Sequence, residues 1–490
     1  MKFKILAIIA VISSFHSVGF SQSNSVGSGI AADVTAGGGE YIDLGDVYNT
    51  LDFPVSVEAW VYPTSYDSYS SIISTDNGNV GSYYGFWFRF NSLGNLIFEI
   101  GDGSGSGGSD RRGKKTINVV SINKWSHVAV VANSITDITF YINGQEQTEV
   151  STDGSSTVTN ILHSANLASL CRQVTPSAEH YYHGKIDEVR LWNISLTELN
   201  LRGYMCKKLS GLEAGLLGYW KFDESYLGVS VSDHTVPAEN GTLVGAITKI
   251  TSGAPIGDVS MHTYAATYTG VTMNLNSPGG DIIKVNQIKN LPFGVQLYRV
   301  DENPYLTGGL GLHTNYYFGV FTADNAVAAK YSINYIYSYD NGVVDSFNEI
   351  GSKIYRRTDG SVPTWSNLSA TLDTAANKLI RKNIATRNEF IFNYKANAKW
   401  SNIDLNLERG TAEFNIYPQP ASDVLNLECE LEISLVSIYN MDGQIVYAIE
   451  AGNNGTSISI SVLNLPNGNY VVFAKLSNGS VASKKIVIAN

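Results

Sequence analysis

The residues best placed to do chemistry are Asp187 and Glu188, adjacent in the segment GKIDEVRLWN. Side chains alternate across an extended strand, so the two carboxylates face opposite sides and Asp187 shares its face with Lys185 and Val189. Glycoside hydrolysis needs two carboxyl groups about 5 to 9 Å apart, an arrangement that acids at i and i+4 on one strand face provide. That spacing, an ExDxxE-like run and a nucleophile elbow are all missing, so the chain is expected to bind rather than to catalyse. A hydrolase site split between distant loops stays open, as does a purely architectural adhesin or matrix protein. For ligand contact the richest stretch holds Tyr62, Tyr66, Tyr69, Tyr83, Tyr84 and Trp87, with Arg89 beside the tryptophan. Flat aromatic faces stack on sugar rings and a guanidinium adds donors, which makes Tyr62, Tyr84, Trp87 and Arg89 the candidate contacts. The same aromatics also suit plain sheet packing. His180 and His183 lack the cysteine or HExxH context of a zinc site. The GSGSGG run near Gly103 and the basic DRRGKK run from Asp110 read as flexible or solvated loop, and neither is assigned a role.

Of the three cysteines, Cys171 and Cys206 fall in one predicted domain. A bridge between them closes a loop of about 35 residues and contributes roughly 3 to 4 kcal/mol in the chain-entropy model. This pairing is the expectation for an exported chain. Cys429 lies in VLNLECELE, where alternation puts it on one face with Leu425, Leu427 and Leu431 as a buried apolar thiol.

The elements that carry these residues read as strands. The chain has 490 residues, 43% hydrophobic and 16% charged, with 46 Gly and 29 Tyr, a composition of pleated surfaces and tight turns. An all-β protein is predicted. In VSVEAWVYP, Val55, Val57, Ala59 and Val61 form the core face; in GFWFRF, Phe86, Phe88 and Phe90 oppose Trp87 and Arg89. Asn143-Gly144 suits a tight hairpin turn. In KYSINYIYSYDNG, Tyr331, Ile333, Tyr335 and Tyr337 share a face, and the turn falls at Asp340 to Gly342. The formal charge of -11 disfavours nucleic acid. Lys2 and Lys4, the apolar run Ile5 to Ile12 and the small polar residues up to Ser21 have the layout of a signal peptide over residues 1–21. No later run of about 18 apolar residues follows, so no transmembrane segment is expected in the mature chain. The polar, Gly-rich strands do not alternate as an outer-membrane barrel requires.

Two resemblances organise the rest. EYIDLG, FPVSVEAWVYP, NKWSHVAVV, FYINGQ and HGKIDEVRLWNISLTELN, in that order, resemble the laminin-G-like jelly roll of concanavalin type over residues 28–210, with a helical turn that Ser195 or Thr197 can cap. GLLGYWKFDES and NGTLVG resemble segments that accompany this module, making 211–255 an extension and linker. The resemblance implies a domain that contacts a glycan or a surface protein, often with calcium. For Ca2+ it points to Glu40 and Asp43, beside the backbone carbonyls of Gly37 to Gly39, and to Asp187. Asp187 capping a turn or pairing with Arg190 is the competing reading. Residues 256–395 read as a second β-sandwich, a spacer or an adhesive module, and 396–413 as a linker. From Phe414, YPQPASDVLNL, IYNMDGQ, LPNGNYVV and KKIVI closely resemble the type A C-terminal sorting domain of the type IX secretion system, a small Ig-like β-sandwich over 414–490. That implies partnership with the secretion machinery and an extracellular or cell-surface destination. The tail is commonly removed in that family.

Overall fold

In the computed structural model the described residues are 27–35, 38–76, 81–175, 178–224, 228–310, 312, 314–325, 327–338, 349–394, 414–440, 445–477 and 481–489. The signal peptide, Gly37, the Asp340–Gly342 turn and the 396–413 linker lie outside them. Two compact units divide the chain, residues 1–396 and 397–490.

The first unit opens with a sandwich of two antiparallel sheets. One, the back sheet, runs β10 (Gln145–Glu146), β9 (Asp137–Ile142), β8 (Ser126–Ser134), β3 (Val55–Ser65), β15 (His183–Trp192), β1 (Ile30–Asp33), β19 (Thr248–Thr251), with β16 (Leu216–Trp220) also on β15. The other, the front sheet, runs β11 (Val150–Gly154), β7 (Arg111–Val119), β6 (Asn95–Gly101), β5 (Phe86–Phe90), β4 (Ser70–Ser74), β12 (Ala168–Leu170), β2 (Tyr41–Gly45), β18 (Gly241–Val244), β17 (Ser230–Val231). A separate hairpin, β13 (Arg172–Thr175) and β14 (Ala178–Tyr181), follows β12. The expected alternation holds: Val55, Val57, Ala59 and Val61 meet Phe86, Phe88 and Phe90 in the core between the sheets. Asn143 and Gly144 take φ of 53° and 73°, the left-handed values of a tight hairpin. Thr197 caps the helix α1 (Glu198–Tyr204) by accepting from Asn200 N at 3.1 Å.

Residues 259–394 build a second sandwich from a six-stranded and a five-stranded sheet. Tyr331, Ile333, Tyr335 and Tyr337 lie in its core, and buried Asp281 accepts from Tyr316 and Tyr335 hydroxyls at 2.5 and 2.6 Å. The two sandwiches share an apolar seam in which Trp60, from the back sheet, packs edge-on to Phe321 at 5.2 Å beside Tyr298, Tyr317 and Cys206. In the second unit, strands spanning 414–488 enclose a core that includes Leu425, Leu427 and Cys429, with Leu431 packed against it.

Two expectations are corrected. The Cys171–Cys206 bridge is not formed: both thiols are free and buried, Cys171 between the sheets of the first sandwich and Cys206 in the seam on the far side of the back sheet. Burial in apolar surroundings pushes both thiols well above their ordinary range. Asp187 and Glu188 do not face opposite ways either. Glu188 adopts φ 52° and the pairing with β3 slips between Asp187 and Arg190, so Ile186, Val189 and Leu191 all point into the core. Both carboxylates therefore leave on the outer side: Glu188 pairs with Arg190 at 2.5 Å and accepts from Tyr219 at 2.6 Å, while Asp187 accepts from Ser252 Oγ at 2.6 Å. Asp223 joins them from the loop after β16, accepting from Ile30 N at 2.8 Å.

Two predictions follow from these buried groups. Burial first, and the charge of Glu188 with it, push Asp223 up to about 7 against the pull of Lys208. A carboxyl raised in the fold adds stability that is complete below its unfolded value and is lost as pH rises through about 7. Asp223→Asn should therefore raise the thermal midpoint at pH 8, with the gain shrinking toward pH 5; a gain of equal size at both would refute the assignment. Thiol titration of the denatured, unreduced full chain should find all three cysteines reactive.

Candidate functional site

The outer side of the front sheet carries a charged cluster built by strand alternation. Two cross-strand rows define it. Trp87, Glu99, Gly113 and Asp153 are successive partners across β5, β6, β7 and β11; Ser71, Arg89, Ile97, Lys115 and Ser151 are partners one step along, starting from β4. Because the phenylalanines of β5 face the core, Trp87 and Arg89 must face out.

Gly113 sets the geometry. A Cβ there would stand 2.1 Å from Phe98 O and 2.7 Å from Glu99 Cγ, so only glycine leaves room for Glu99 to reach across β7 to Asp153. Arg89 Nη2 lies 2.6 Å from Glu99 Oε2 and 3.6 Å from Asp153 Oδ2. Arg111 Nε lies 2.9 Å from Glu99 Oε1, its Nη1 donates to Tyr69 OH at 3.0 Å, and Lys115 Nζ stands 3.5 Å from Asp153. Burial raises the Glu99 carboxyl above the usual range, with Arg89 and Arg111 opposing and Asp153 reinforcing. Asp153 stays below that range: the hydrogen bond from Glu99, then Arg89, Lys115 and Arg111, outweigh its own burial.

Aromatic rings wall the cluster. Arg89 sits over the Tyr69 ring at 4.5 Å, His180 packs against Tyr69 at 4.8 Å, and Tyr83 meets Trp87 edge-on at 5.0 Å. Trp87 Nε1, Ser71 Oγ and Gln173 Oε1 are buried without a hydrogen-bond partner among the described residues. Buried polar groups are nearly always satisfied, and Glu99 Oε1 and Arg111 Nε within the cluster are likewise without a hydrogen bond. Arg111 and Lys115 side chains are 17% and 36% exposed and form the open rim.

The expected contacts are therefore only partly assembled. Trp87 and Arg89 lie in the cluster, but at 2% exposure each they structure it and offer no open face for stacking. Tyr62 is on the back sheet, against Trp125 at 5.8 Å and beneath Lys185, because β3 belongs to the other layer. Tyr84 lies off the strand, next to Gly103 and a cavity bordered by Ser82, His163 and Asn166. The basic run from Asp110, expected as loop, is strand β7, and its alternation brings Arg111 and Lys115 to one face. Glu99, Asp153 and the rim cations were not anticipated; the available signal was the R-x-G-x-K alternation of β7.

The calcium set is not brought together. Glu40 accepts from Gly38 N at 2.8 Å and Asp43 from Gly45 N at 2.9 Å, both holding local turns at β2 in the front sheet. Asp187 is on β15 in the back sheet, on the side away from the core. Among the described residues no three His, Cys, Asp or Glu side chains are grouped to hold a metal ion.

The fold and this site define an exported jelly-roll protein. Residues 36–201 match the concanavalin A-like lectin/glucanases superfamily in its laminin-G form, and residues 415–489 match the secretion system C-terminal sorting domain. The chain thus contains a laminin-G-like domain and a type IX sorting domain, and the latter marks it for export to the cell surface or extracellular space. Among the described residues no helix is long and apolar enough to cross a membrane. No curated protein matches the chain. Among solved structures, a Bacteroides ovatus protein provisionally described as carbohydrate-binding is 22% identical with TM-score 0.36, over 47% of this chain and 62% of that one, less than two thirds of its length. A Ruminococcus gnavus IT-sialidase CBM40 bound to α2,3 sialyllactose is 16% identical, TM-score 0.27, over 36% of this chain and 97% of that one. A SAP-like pentraxin from Limulus polyphemus is 13% identical, TM-score 0.25, over 36% and 81%.

Gly113→Ala should destabilise the first unit by about 1–3 kcal/mol in urea unfolding, since the new methyl meets the backbone at Phe98 O and Glu99 Cα, 2.1 and 2.8 Å away, as well as Glu99 Cγ. Gly108→Ala, with nothing within 4 Å, is the control and should stay within about 0.5 kcal/mol. Equal effects would show that the close approach over β7 is not a constraint.

Proposed function

We propose that the chain is an exported glycan-binding protein whose ligand docks at the rim of the front-sheet cluster, on Arg111, Lys115, Asp153 and Tyr69. The carrying observation is the buried ion network with unsatisfied polar atoms beneath a partly open cationic rim. Leaving a buried donor unmet costs about 1–3 kcal/mol, so such atoms mark a place completed by something else. The match to a superfamily of lectins and glucanases supports a sugar as that partner. Binding is favoured over hydrolysis by the acids themselves. A catalytic pair needs one carboxyl free to protonate the leaving oxygen and another free to attack or to activate water, whereas Glu99 and Asp153 both lie against Arg89 Nη2, at 2.6 and 3.6 Å. Three cations already occupy them.

A glycan array probed with the full chain should show selective binding, and Arg111→Ala should weaken it about tenfold by removing a charge-assisted contact. Running it with calcium and again with chelator tests whether a cation takes part. Silence on every glycan, or wild-type affinity in the variant, would overturn the reading. Reducing-sugar release from a polysaccharide panel should be absent. Deleting residues 415–489 should leave the protein inside the cell on fractionation; unaltered export would remove the tail from the route.

A further inference from the structure

The rim has a surplus of positive charge in a chain whose formal charge is -11. Arg89 is fully used inside the cluster: Nε and Nη2 serve Glu99, and Nη1 donates to Ser68 O and Phe90 O at 3.1 and 3.4 Å. Arg111 is not. Its Nε faces Glu99 and its Nη1 donates to Tyr69, which leaves Nη2 without an acceptor among the described residues. Lys115 has one long contact, 3.5 Å to Asp153. Three cations, Arg89, Arg111 and Lys115, thus face two carboxylates, Glu99 and Asp153, which leaves one positive charge unmatched.

Acids on the neighbouring loops do not make up the difference. Asp67 faces His180 at 3.1 Å, Asp110 accepts from Gly107 N at 2.6 Å, and Asp102 accepts from Ser104 and Ser156 hydroxyls at 2.6 Å each. With Trp87 and Tyr83 buried, selectivity cannot come from stacking on their faces. It has to come from charge and hydrogen bonding, and a guanidinium with a free edge selects a planar oxyanion.

We infer that the sugar recognised at this rim carries a carboxylate, of the uronic or sialic type, which would lie between Arg111 Nη2 and Lys115 Nζ. This rests on the glycan-binding reading and narrows it. A carboxylate there restores charge balance and supplies the acceptor that Arg111 lacks.

The test pairs each acidic glycan with its carboxyl-reduced counterpart, using the full chain, and adds sulfated glycans as a separate arm. Binding at least tenfold tighter to the acidic member, weakened as salt rises and lost in Arg111→Gln, is expected. Arg111→Lys, which keeps the charge without the planar fork, should recover only part of it, with far-ultraviolet circular dichroism confirming that both variants fold. Equal affinity for the two members would overturn the carboxylate and leave glycan binding standing. Preference for sulfate over carboxylate would also overturn it, since the anion would be of another class. No binding to any member would overturn both.

Discussion

Everything on the outer side of the front sheet depends on one buried ion pair, Arg89 with Glu99, whose side chains are 2% and 0% exposed. An isolated charge that deep is expensive, and pairing offsets the cost only when the remaining lone pairs and protons are also met. Arg89 meets that condition through two backbone carbonyls, while Glu99 Oε1 has the Arg111 guanidinium 2.9 Å away as a charge partner. The chain of dependence then runs outward. Glu99 draws Asp153 across a strand whose only possible residue at that point is glycine, and Asp153 in turn holds Lys115. Removing either member of the central pair would leave the other charged and buried, so the rim chemistry and the stability of the sheet cannot be separated there.

The two outer sides of the same sandwich meet this constraint differently. On the back sheet a bulge at Glu188 turns both adjacent acids outward, where Tyr219 and Ser252 of the 205–258 segment meet them. Arg190 answers Glu58 and Glu188 there, and His127 stands 3.1 Å from Glu58. That network is closed over: its members are between 0% and 3% exposed. The front-sheet network has the same composition of arginine and acid but ends at partly exposed cations. Among the described residues, Tyr204, Lys207 and Tyr219 close over the first network, whereas the second keeps a partly exposed edge at Arg111 and Lys115.

Much of this was legible from period-two patterning. The core faces of β3, β5 and the Tyr331 strand, the Asn143-Gly144 turn, the Thr197 cap and the Leu425–Cys429 face are all as alternation and capping rules require. The site was less so, for identifiable reasons. Alternation assumes an unbroken strand, and one bulged residue at Glu188 inverted the facing of everything after Asp187. Tyr62 was grouped with Trp87 because they are near in sequence, while the chain crosses between layers after β3. The basic run of β7 resembled a solvated loop because its hydrophobic partners are on other strands. The cysteines share a domain but lie on opposite sides of one sheet, a distinction that spacing does not encode.

The close contact between Glu99 and Asp153 also bears on how a concanavalin-type sheet divides between binding and hydrolysis. Catalysis needs two carboxyls held apart, one protonated and one free to attack or to activate water. Here the proton asymmetry is present, since burial raises one acid and hydrogen bonding lowers the other. The freedom is not, because Arg89 stands 2.6 Å from Glu99 and 3.6 Å from Asp153, and Arg111 stands 2.9 Å from Glu99. An acid bonded to its partner cannot reach a glycosidic oxygen without first breaking the network that keeps Arg89 satisfied. The arrangement holds charge at a fixed place on the sheet, which is the property the proposed recognition surface requires.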